Sequence, residues 1–110
     1  MDSKHILLVD DDAISLKILK VTLEKYQLHC AICAEQALEL LASVSPDLII
    51  LAIRRPGMSA LELCRKIKNN TQWANIPLIL LSAKRDNASI IEGLDAGASD
   101  YIVKPFEADI

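Results

Sequence analysis

Leu48-Ile49-Ile50-Leu51-Ala52-Ile53 is six apolar residues in a row, entered from Pro46-Asp47 and left through Arg54-Arg55-Pro56-Gly57. A strand with one wet face alternates apolar and polar residues. An unbroken apolar run suits a strand covered on both faces, as in a parallel sheet flanked by helices. Toward the N-terminus, Ala37, Leu38, Leu41 and Val44 recur at helical spacing, closed by Ser45-Pro46. Before them, Leu28 to Cys33 reads as a strand, and Leu16, Leu19, Leu23 and Tyr26 mark a helix between Ile14 and Tyr26. The chain enters through Ile6-Leu7-Leu8-Val9, a second unbroken apolar run, which stops at three aspartates.

Toward the C-terminus, Arg54 to Ser59 reads as a loop, and Leu63, Cys64 and Ile67 lie on one helix. Pro77 opens a strand to Leu81. Ile90, Ile91, Leu94 and Ala98 then mark a helix ending near Gly97, a natural left-handed C-cap residue. Tyr101-Ile102-Val103 is the last strand, cut off by Lys104-Pro105. Five strands alternating with four complete helices predict an α/β fold, a three-layer, doubly wound, parallel five-stranded sheet with right-handed crossovers. The 110 residues suffice for one domain, 1–110, and are too few for two cores.

Hydrophobic residues make up 52% and charged residues 25%, which excludes a disordered tail. Net charge is -3 and the twelve basic residues are scattered, so direct nucleic-acid binding is not expected. The longest apolar runs are too short for a bilayer. Met1 to His5 leads into a strand with no signal-peptide pattern, so a cytoplasmic location and no membrane partner are expected. Cys30, Cys33 and Cys64 are an odd count, expected as reduced thiols. Cys30 and Cys33 form a C-x-x-C, but three positions apart in a strand they face opposite sides and read as small buried hydrophobes.

In such a sheet, chemistry belongs at the carboxyl ends of the strands. Asp10, Asp11 and Asp12 follow the first strand. Adjacent carboxylates beside apolar residues repel unless a cation compensates, and a hard ion such as Mg²⁺ prefers oxygen donors. One of the three, Asp12, reads equally well as the cap of the next helix. Ser82 at the fourth strand end offers a hydroxyl and Lys104 at the fifth an ammonium, a set suited to a phosphoryl group.

Leu7 to Asp12, Pro46 to Leu51, Pro56-Gly57-Met58, Leu80 to Ala83 and Gly97 to Phe106 together resemble the receiver domains of two-component response regulators. The resemblance covers nearly the whole chain in order. It implies a flavodoxin-like sheet in strand order 2-1-3-4-5. It assigns Asp10 and Asp11 to an Mg²⁺ site, Ser82 to a switch hydroxyl, Tyr101 to the aromatic that follows it, and Lys104 to the phosphoryl group, with a cis bond before Pro105. Such domains are not enzymes; their partners are a histidine kinase, an effector domain or a second copy.

The family's phosphoacceptor aspartate ends the third strand, and here Ala52 stands at that place. A methyl group forms no acyl phosphate and ligates no metal, so weakened Mg²⁺ binding is expected. Arg54 and Arg55 enter the loop after it, and Ser59-Ala60 replaces a common Asp-Gly. Arg54, and after it Arg55, is a candidate to reach Asp10 or Asp11 in place of the metal, with Lys104 on a second carboxylate; the bland alternative leaves both arginines in solvent. The chain is expected to end before or within the family's fifth helix, as the first part of a longer protein. The expected function is a receiver that is not phosphorylated and works through protein contacts. Two alternatives stand beside it: an engineered Asp-to-Ala form of a phospho-accepting receiver, and a phosphatase or flavin-binding protein on the same fold. Against the last, no phosphate-cradling glycine loop follows the first strand and no nucleophile remains at the third.

Overall fold

A computed structural model describes residues 4–52, 60–82 and 87–103. Strands β1 (His5–Asp10), β2 (Gln27–Ala31), β3 (Leu48–Ala52), β4 (Leu78–Ser82) and β5 (Asp100–Val103) alternate with helices α1 (Ala13–Thr22), α2 (Ala34–Ser43), α3 (Ala60–Lys68) and α4 (Asn87–Asp95). The strands pair in parallel in the order β2-β1-β3-β4-β5. That is the doubly wound, flavodoxin-like sheet that the alternation of runs predicts.

The unbroken apolar runs are explained by two cores. Leu7, Val9, Ile49, Leu51, Leu78 and Leu80 face α2 and α3, where Ala37, Leu41, Leu63, Cys64 and Ile67 meet them. Ile6, Leu8, Ile50, Ala52 and Leu81 face the other way, onto Leu19 of α1 with Leu16 and Leu23 beside it. Each fully buried leucine contributes about 1.5–3 kcal/mol by leaving water. Helix α3 is also matched to its dipole, with Glu62 in the first turn and Arg65, Lys66 and Lys68 in the last.

Several boundaries differ from the sequence reading. Helix α1 stops at Thr22, and Tyr26 lies beyond it, 39% exposed. The second strand ends at Ala31 rather than Cys33; Ile32 is exposed and Cys33 is the N-cap of α2. An N-cap residue keeps extended backbone (φ -153°, ψ 169° at Cys33), which is why it read as strand. Cys30 and Cys33 are thus half-buried free thiols in two different elements, and only Cys64 is buried. On α4, Ile91 and Leu94 are exposed although they carried the helical pattern. Ile53 and the loop through Ser59 lie outside the described residues.

Burial raises the Cys64 thiol above its ordinary value of 9.0, against the pull of Lys68 and Arg65. The unfolded chain therefore loses this proton first as pH rises. The thiol costs no stability below the unfolded value and subtracts stability above it. Urea midpoints should accordingly fall between pH 8 and pH 10, and fall less steeply in Cys64→Ala.

Candidate functional site

β1 runs out at Asp10 and β3 at Ala52, and the register sets these two residues side by side. Both are completely buried, and Asp11 is 6% exposed. The chain leaves the sheet here in a tight turn. Asp10 Oδ1 accepts the Asp12 N–H at 2.9 Å, and Asp12 Oδ1 accepts the Ile14 N–H at 3.0 Å. Asp12 is thus the N-cap of α1, while Asp10 and Asp11 are held in the interior at the strand end. Asp12→Ala should cost about 1 kcal/mol in urea denaturation through the lost cap.

Leu51 pairs with Leu80, so Ser82 at the end of β4 lies just beyond the level of Ala52. Ser82 in turn pairs with Val103, the last described residue of β5. Tyr101 sits two residues lower, beside Leu80. Its ring lies against the backbone of α4: a Cβ on Gly93 would come within 2.8 Å of Tyr101 Cδ2 and 2.9 Å of Leu80 Cδ1. Gly93 went unnoticed in the sequence, although a glycine inside a helical pattern usually has a packing reason. Arg54, Arg55, Lys104 and Pro105 lie outside the described residues.

Asp10, Asp11, Ala52 and Ser82 therefore gather at one edge of the sheet. Two buried carboxylates make this edge a place for a hard cation, and the hydroxyl suits an anion beside it. At the end of β3 there is a methyl group and no nucleophile. Among the described residues no group of three or more His, Cys, Asp or Glu is arranged to hold a metal. No helix among them is long and apolar enough to cross a membrane.

Residues 6–110 match the family model of the response regulator receiver domain. The phosphate regulon transcriptional regulatory protein PhoB of Pseudomonas aeruginosa is 41% identical over 108 residues, covering 96% of this chain and 47% of PhoB. The transcriptional regulatory protein AfsQ1 of Streptomyces coelicolor is 38% identical over 106 residues, covering 96% of this chain and 46% of AfsQ1. The chain thus spans about half the length of these two relatives. The chemotaxis protein CheY4 of Vibrio cholerae superposes with a TM-score of 0.90 over 98% of this chain and 92% of its own, at 24% identity, and shares the fold. With the family model covering nearly the whole chain and relatives about 40% identical over its length, the chain belongs to the family of response regulator receiver domains of two-component systems.

Proposed function

We propose that this receiver signals without accepting a phosphoryl group and acts through protein contacts. The observation that carries the reading is Ala52, fully buried at the end of β3 and in register with Asp10. A phosphoryl group transferred to a receiver needs a carboxylate at that strand end, and an alanine side chain has no atom that could take it. Without the acceptor, the balance between two conformations is set by the sequence and by whatever binds.

Asp10 and Asp11 are donors of the right kind for Mg²⁺, which when bound would supply charge to offset phosphoryl oxygens. Ala52 leaves that donor set one carboxylate short, so the ion is held weakly. Ser82, Tyr101 and Lys104 keep the parts of a switch. Arg54, and after it Arg55, supplies positive charge to Asp10 and Asp11 in place of the metal. The domain works in the cytoplasm. Its partner is a histidine kinase, an effector domain or a second copy.

The test is a pair of amide NMR spectra of the native protein, without and with Mg²⁺ plus beryllofluoride, a phosphoryl mimic. Mg²⁺ alone should move only the signals of Asp10 to Asp12, and adding beryllofluoride to it should leave those of Ser82 to Val103 in place. A saturable shift spreading from Ser82 to Tyr101 would overturn the reading.

A further inference from the structure

His5 opens β1 and His29 sits within β2, both on the sheet face that carries Leu7, Val9 and Ala31. Their rings meet across the strand pair, with His5 Nδ1 2.9 Å from His29 Nε2. The ring centroids are 5.1 Å apart and the planes inclined by 18°. A ring nitrogen lies about 1.1 Å from its own centroid, so these values place the rings end to end, nitrogen toward nitrogen. One shared proton satisfies the contact between two neutral imidazoles.

The same two nitrogens suit a metal. Two tetrahedral Zn–N bonds of about 2.05 Å set the nitrogens about 3.3 Å and the centroids about 5.2 Å apart. The centroids already have that separation, so the chelate needs rotation about the side-chain χ angles and no change in the spacing of the two strands. The bridging proton then moves to an outward nitrogen, leaving His5 protonated at Nε2 and His29 at Nδ1, with the pair still neutral. Waters complete the coordination.

The surroundings also favour a cation. The His5 N–H donates to Asp47 Oδ2 at 2.8 Å, and the Asp47 N–H donates to the His5 carbonyl at 2.7 Å, which fixes a carboxylate on the His5 backbone at this edge. Helix α2 ends just before this point, at Ser43, with no basic residue in its last turn, so the negative end of its dipole comes to the same edge. This edge is opposite to the one where Asp10 and Asp11 stand.

We infer that His5 and His29 form a two-nitrogen chelate for a borderline divalent transition ion, Zn²⁺ first, clamping the edge strand β2 to β1. The site is independent of phosphoryl chemistry, and its failure would leave the proposed function untouched. The test is a Zn²⁺ titration of the protein without a polyhistidine tag, followed by amide and imidazole NMR signals. Shifts at residues 4–7 and 27–30 should saturate at one equivalent, and the melting temperature should rise with Zn²⁺. His5→Gln and His29→Gln should each weaken apparent Zn²⁺ affinity about tenfold or more. Mg²⁺ should reproduce none of these shifts, since imidazole is a poor ligand for it. Either variant's spectrum without metal reports whether it folds, and one folded variant decides the matter. Shifts confined to Asp10 to Asp12, shifts unchanged in a folded variant, or no saturable response at millimolar Zn²⁺ would each overturn the inference.

Discussion

Replacing Ala52 by aspartate should give a protein that takes up beryllofluoride and becomes phosphorylated by acetyl phosphate. The new carboxylate would start from a fully buried Cβ beside Asp10, with Asp11 next to it. Three carboxylates in one small space repel, and a larger side chain strains a packed strand end. Without a divalent ion, Ala52→Asp should therefore be less stable than the native protein by about 1–3 kcal/mol. Mg²⁺ should return most of that stability, because an ion that binds only the folded state stabilises it by mass action. The variant should also bind Mg²⁺ at least about tenfold more tightly than the native chain, having regained an oxygen ligand. Intact-mass spectrometry after acetyl phosphate, with NMR in beryllofluoride, reads both effects. A response spreading from Ser82 to Tyr101 would mean that Ala52 alone silences the pocket, as an engineered or single lost acceptor would. No response would mean that the loop from Arg54 to Ser59 has diverged with it, and the search should turn to binding partners.

Gly97→Ala should be the most destabilising single methyl in the described part of the molecule, at about 2–4 kcal/mol. Gly97 has φ +110°, a backbone conformation that costs an L-residue of order 1–3 kcal/mol. It closes α4 in a Schellman arrangement, with the Ala98 N–H donating to the Gly93 carbonyl and the Gly97 N–H to that of Leu94. A Cβ there would also lie 2.6 Å from Lys68 Cγ. That stem cannot easily step aside, because Lys68 Nζ donates to the carbonyls of Ala74 and Ile76 at 3.1 and 2.6 Å. Shortening the lysine should separate the two costs. In a Lys68→Ala background the clash with Cγ is gone and only the 3.1 Å approach to Cβ remains, so Gly97→Ala should cost little more than its backbone share, about 1–3 kcal/mol. Equal effects of Gly97→Ala in both backgrounds, read from urea midpoints, would mean that the lysine contact does not matter.

What could be read from residues alone was whatever repeats along the chain. Ile6 to Val9 and Leu48 to Ala52 are apolar throughout because both faces of the sheet are covered, and a linear pattern records that directly. Asp12 as a cap and Gly97 as a helix end were legible for the same reason, since each serves its immediate neighbours. Patterning misled at Ile91 and Leu94, which keep helical spacing yet lie on the exposed side of α4. It misled at Cys33 too, where a cap shares its backbone with a strand. Contacts fixed by register stayed out of sight: no local signal ties His5 to His29, Gly93 to Tyr101, or Lys68 to Gly97. Within the candidate site, Asp10 and Ala52 were named from their strand ends, but their adjacency is a property of parallel pairing.

That pairing bears on how the chain reaches its fold. Ile6 pairs with Leu28 on one side and Leu48 on the other, so β1 has partners on both sides that leave the ribosome after it. Sheets built from such distant partners close slowly, and a waiting apolar strand is exposed to self-association meanwhile. Asp10, Asp11 and Asp12 come directly after that strand. Before they shape any pocket, three adjacent negative charges act as gatekeepers that discourage nascent chains from stacking through Ile6 to Val9.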